Sequence, residues 1–168
     1  MTALLTNKLF LIGLTIILTL ALSFYLIKKY KLTRYQVLVF VLLVLFWSAI
    51  NIIRAYRKNY ATGIIADGGL GLEVSAAATM AAAYGLISIF VRLPVFALSD
   101  FFRSRKFFIA LALVFVLGSS IFVMIDPSYE SLYWSSLALG VGASLLSLFN
   151  VMFAETFTAS QAIFSVSV

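Results

Sequence analysis

The sequence predicts an all-α polytopic membrane protein, a helical bundle with about five transmembrane helices, and three observations carry that prediction. Of its 168 residues, 64% are hydrophobic and 11% charged, whereas about a quarter of the residues in soluble domains carry charge. The apolar residues gather in blocks at 9–27, 35–53, 74–98, 107–125 and 131–154. Each approaches or exceeds the roughly 20 residues that a helix rising 1.5 Å per residue needs to cross a hydrocarbon core about 30 Å thick. No segments of about 10 alternating residues, the mark of a membrane barrel, are present.

The first block follows Lys8. It is longer than the apolar region of about 7 to 15 residues in a secretory signal, and "SFYLIKKYK" offers no small-residue cleavage site, so a retained span is expected. Lys28, Lys29, Lys31 and Arg34 follow it, and Arg103, Arg105 and Lys106 follow the third block. Lys and Arg beside spans mark the cytoplasmic side, which puts both loops inside and the N-terminus outside. The intervening "IIADGGLGLE" and "DPSYE" carry acids and no Lys or Arg, with turn chemistry at Gly68-Gly69 and Asp126-Pro127-Ser128. In the third block Pro94 removes a backbone donor, and Arg92 interrupts the apolar run, either snorkelling to the cytoplasmic face or lying within the span. Ala78, Ala81, Ala82, Gly85 and Ser88, with Gly140, Gly142 and Ser144 in the last block, are small residues that permit close helix packing.

What is missing narrows the function. With no Cys and no His, disulfides, thiolate chemistry and the commonest metal ligands drop out together. The six acids are Asp67, Glu73, Asp100, Asp126, Glu130 and Glu155, most of them in expected loops. No acid/base pair or nucleophile constellation can be assembled from them, so neither an enzyme, a cofactor nor a metal site is expected. The charge of +6 sits beside the spans, where it serves orientation on a lipid bilayer better than it serves nucleic acid.

The second block ends in "SAINIIRAYRKNYATG", which places Arg54, Arg57 and Lys58 on the external side, against the positive-inside bias. Two readings stay open. In one, the helix stops near Ile53 and the cations lie in a loop or snorkel to headgroups. In the other, it continues to about Ile65 as a long tilted span. Asn51, Arg54 and Lys58 then fall within an arc of about 60°, with Arg57 about 60° further round. A cationic face of that kind inside a membrane implies an anionic ligand, since burying such charges without a counter-charge is expensive. Arg suits phosphate through its planar fork of donors, and Asn59, Tyr56 and Tyr60 are neutral donors nearby.

Two stretches carry a family resemblance. "VRLPVFALSDFFRSRK" resembles the cytoplasmic loop between the second and third helices of major facilitator superfamily transporters, written G-x-L-A-D-R-x-G-R-R-K. Leu98, Asp100, Arg105 and Lys106 fit it. Phe96 replaces the first glycine, Phe101 the first arginine, and Arg103 stands where the second glycine would be. "AYRKNY" and the segment after it resemble the first helix, external loop and second helix of the organophosphate:phosphate antiporter branch, in which an R-K pair lies at the substrate. The resemblance implies that Arg57 and Lys58 contact the substrate, with Arg54 and Asn51 on the same helix. It also implies that Asp100, Arg103, Arg105 and Lys106 form a loop that changes as the transporter rocks.

On this resemblance residues 1–34 are an extra helix with a basic loop. Residues 35–168 are a partial N-terminal bundle of four helices and the start of a further one, the expected transporter continuing in the same chain or in a partner. The expected function is the N-terminal portion of a secondary transporter for a small anionic solute, an organophosphate in the branch it resembles, in the plasma membrane. The alternative is a small polytopic protein with a structural, assembly or regulatory role and no solute site.

Overall fold

The computed structural model describes residues 2–158, with side chains from Phe10 onward. Among them are five long α-helices, one 3-10 turn and no strand: α1 (Thr2–Lys29), α2 (Arg34–Thr62), α3 (Val74–Phe102), α4 (Arg105–Ile125) and α5 (Tyr129–Ala154). All five are long and apolar enough to cross a membrane. The start of a further helix, expected beyond 155, falls largely on residues 159–168, outside the described residues. The chain forms two compact units, 1–41 and 42–168.

In the first unit, α1 turns into α2 within four residues. Leu32 N–H donates to Ile27 O (3.2 Å) and Tyr30 N–H to Leu26 O (3.0 Å), and Lys31 takes a left-handed φ of 49°. Thr33 and Gln36 form a reciprocal capping box: Thr33 N–H donates to Gln36 Oε1 (2.9 Å) and Gln36 N–H to Thr33 Oγ1 (3.3 Å). Two otherwise orphan donors are thereby satisfied at the helix start.

In the second unit, α5 is the central helix. It is buried over 61% of its apolar window, against 22% in α2 and 17% in both α3 and α4. Lipid tails give helices no hydrophobic reason to associate, so van der Waals fit and interhelical hydrogen bonds must hold the unit. The glycines of α5 supply the fit. A Cβ on Gly140 would stand 2.7 Å from Tyr84 O and 2.3 Å from Ile87 Cγ2 of α3, and one on Gly142 would stand 2.9 Å from Val116 Cγ2 of α4. Two residues apart, they admit a neighbour on each side. Ser144 Oγ, fully buried, donates to Ser88 O of α3 (2.8 Å), and Trp47 Nε1 of α2 donates to Asn150 Oδ1 (3.2 Å).

The small-residue stripe expected on α3 is corrected in part. Ala78, Ala81 and Ala82 are exposed and Gly85 has open space at its Cβ, while Ala77, Met80, Ala83 and Ser88 make the buried face. The run "AAATMAAAYG" offers an alanine on every side of the helix, so residue size does not choose the face; contact with α5 does.

The α2–α3 connection closes the acidic end. Leu70, Gly71 and Leu72 N–H donate to the carbonyls of Tyr60, Gly63 and Ala61 at 3.0, 2.8 and 2.8 Å, satisfying acceptors that the end of α2 leaves open. Gly69 is required here, since a Cβ would lie 2.4 Å from the Gly63 carbonyl. Beneath this loop Ala61, Ala77, Met80 and Leu132 pack into one cluster. Across the α4–α5 turn, Ser128 caps α5 by accepting from Ser131 N–H (3.2 Å).

Candidate functional site

Helix α2 runs unbroken to Thr62, past all three cations, which is the longer of the two courses open to it. Its side chains then part company. Arg57 is buried, with 9% of its surface exposed, whereas Asn51, Arg54 and Lys58 are exposed. Arg57 Nη1 donates to Ser135 O of α5 (2.9 Å), and Nη2 donates to Ser119 O (2.9 Å) and Ser119 Oγ (3.0 Å) of α4. One guanidinium thus joins three helices. A helical carbonyl has a second lone pair beyond its ladder bond, and a planar fork of five donors can use two such carbonyls at once where a lysine ammonium cannot span them. Arg57 lies five residues from the end of α2, and Ser119 and Ser135 six from the ends of their helices, so the clamp is about 8 to 9 Å in from the acidic end.

On one side of Arg57 is a small cavity of about 60 Å³, lined by Arg54, Arg57, Lys58, Ala81, Tyr84 and Ser136 among others. The Arg54 guanidinium stacks over the Tyr84 ring at 4.3 Å, a cation–π contact that holds its charge in place. The lining contains three cations and no acid. Among the described residues the ion pairs all belong to Arg105, so no carboxylate compensates these three. Asn51 is not brought to the cavity, for its amide donates to Trp47 O (2.9 Å) one turn back on its own helix. Tyr56 and Tyr60 stack on each other with centroids 6.4 Å apart and line a larger, mainly apolar groove on the opposite side of Arg57, about 440 Å³ in volume, together with Ser120, Val123 and Met124.

At the other end of the unit, Arg105 connects the end of α3 to the end of α5. It pairs with Asp100 Oδ1 at 3.5 Å and more closely with Glu155. Asp100 does not cap α4, whose N-cap, Ser104, makes no side-chain bond. Arg103 takes φ 49° and ψ 30° where α3 stops, a left-handed conformation that favours glycine. Arg103 and Lys106 are exposed and make no ion pair among the described residues, and Arg92 is exposed on α3.

Several partners were not named by the sequence reading: Ser119 and Ser135 for Arg57, Tyr84 for Arg54, and Glu155 for Arg105. A signal existed for the first two. Both sit in serine pairs, "GSSI" and "WSSL", inside otherwise apolar helices, and a small side chain leaves its carbonyl open to a neighbouring guanidinium. Compared with family models, curated proteins and solved structures, the chain matches none of them.

Proposed function

We propose that this chain is the N-terminal portion of a secondary transporter for a small anionic solute, in the plasma membrane. The observation that carries this is the uncompensated cavity: Arg54, Arg57 and Lys58 converge on one lining without a carboxylate, on a helix that continues through them. Three cations so placed repel one another, and an oxyanion would relieve that repulsion through charge-assisted hydrogen bonds. At about 60 Å³ the cavity holds little more than the oxyanion itself, well below the roughly 300 Å³ or more of a typical small-molecule site. The remaining walls for an organophosphate would come from further helices, in the same chain or in a partner. The loop geometry supports the same reading: Arg103 adopts a glycine-like conformation at the position where the family pattern has glycine, and Arg105 ties the loop to α5.

A second reading has its own support. All three hydrogen bonds of Arg57 go to protein, which suits a purely structural clamp in a protein without a solute site. Uptake of phosphate and glycerol phosphate into liposomes separates the two. The 168 residues alone should give little uptake, and the protein reconstituted with the completing helices should give saturable uptake that is lost in Arg54→Gln/Lys58→Gln. Saturable uptake by the short chain alone, abolished in Arg57→Ala, would replace the fragment reading with a homo-oligomeric transporter. No uptake in any form would favour the structural role.

A further inference from the structure

We infer that the α1–α2 hairpin is a docking surface for the headgroups of anionic phospholipids, independent of any solute site. Lys28, Lys29, Lys31 and Arg34 fall within seven residues, and all four are exposed. The chain is strongly polarised: residues 1–66 contain eight of the twelve cations and none of the six acids. No carboxylate within this unit can neutralise the hairpin, and none of its four cations is ion-paired among the described residues.

The surface is also held in shape. The capping box of Thr33 and Gln36 and the two backbone bonds from Tyr30 and Leu32 fix the turn, so the cations are presented from a short rigid connection. Lys29 Nζ lies 5.4 Å from the Tyr25 ring centroid and 5.6 Å from that of Tyr30, which keeps this ammonium beside the ends of the helices. Tyr25 and Tyr35 are exposed around it, as tyrosines at a membrane interface are. Groups already ordered lose less entropy when a headgroup arrives. Orienting the chain requires only that the charge be on one side, whereas binding headgroups requires that these cations meet them directly.

Each Lys or Arg beside an anionic surface contributes about fivefold in association, corresponding to about 1 kcal/mol. The test uses the full chain, which has no cysteine, with a fluorophore on Tyr35→Cys and brominated lipids as quenchers. In vesicles of phosphatidylcholine and phosphatidylglycerol at low salt, the brominated anionic lipid should quench at least about fivefold more effectively than the brominated zwitterionic one. That preference should shrink as salt shortens the screening length. It should vanish in Lys28→Gln/Lys29→Gln/Lys31→Gln/Arg34→Gln, and a probe on Asp67→Cys should show none. Equal quenching by the two lipids at low salt, or a preference that survives the quadruple variant, would overturn the inference. If the quadruple variant instead alters only the sidedness of insertion while wild-type quenching is lipid-independent, the cations serve orientation alone and the inference fails.

Discussion

Replacing Arg57 with Met keeps an unbranched apolar stem and removes three hydrogen bonds, two to α4 and one to α5. Interhelical hydrogen bonds in membranes average about 0.6 kcal/mol and reach about 1.7. Three of them give a loss of about 2 kcal/mol, rising to about 5 if the charge brings each bond to the upper value. The carbonyls of Ser119 and Ser135 keep their ladder partners, so no orphaned acceptor adds to the loss. Arg57→Lys should recover less than half of it, because an ammonium reaches one carbonyl and the fork reaches both. The measurement is unfolding in mixed micelles of increasing dodecyl sulfate fraction, followed by the fluorescence of Trp47 and Trp134, the two tryptophans of the chain. Arg57→Met within about 0.5 kcal/mol of wild type, inside the scatter of ordinary surface substitutions, would refute the clamp. Lys and Met variants of equal stability would refute its fork geometry.

Gly140→Ala should destabilise by about 1 to 3 kcal/mol through overpacking against α3, whereas Gly85→Ala, with open space at its Cβ, should be neutral or stabilising by up to about 1 kcal/mol; the same micelle titration compares them. Arg103→Gly should stabilise by about 1 kcal/mol by relieving its left-handed conformation, and a thermal shift in detergent of the opposite sign would contradict that account. An impermeant thiol reagent added outside should label Asp67→Cys and not Tyr35→Cys or Ser104→Cys, and the reverse pattern would invert the topology. Asp67 is preferred to Gly69 for this purpose because any Cβ at Gly69 meets Gly63.

The five helices were legible because bilayer thickness fixes the length of an apolar run, and little else in the chain competes with that signal. The extension of α2 through Arg57 was left undecided, since its polar residues suit a loop as well as a buried face. The outcome turned on contacts: Arg57 finds carbonyls on α4 and α5, and backbone acceptors have no one-letter signature beyond the small residues that expose them. The close approach at Gly140 and Gly142 was readable, whereas on α3, with alanines all round, the stripe named from the sequence was the wrong face at Ala78, Ala81, Ala82 and Gly85 and right only at Ser88. Arg54 and Lys58 were placed together by helical period alone, and they do line one cavity. Period also grouped Asn51 with them, but its amide turns back to its own helix. The pairing of Arg105 with Glu155 joins residues fifty positions apart and follows from the antiparallel course of the helices, which brings the ends of α3 and α5 together.

The central claim is that Arg54, Arg57 and Lys58 create an anion-attracting cavity within the membrane span. A cysteine at Ala81 tests it directly, because this exposed residue of α3 lines the cavity and its replacement leaves all three cations in place. With cations taken at about 7 Å in a high-dielectric cleft, each contributes about 0.6 kcal/mol to the potential at the thiol before screening. Anionic and cationic thiosulfonate reagents of equal size should then differ in rate by at least about tenfold in favour of the anion. The ratio should fall toward that of a free thiol in Arg54→Gln/Lys58→Gln, and phosphate should slow the reaction in the wild-type background. Equal rates for the two reagents, unaltered by that double substitution and by phosphate, would contradict the anion site.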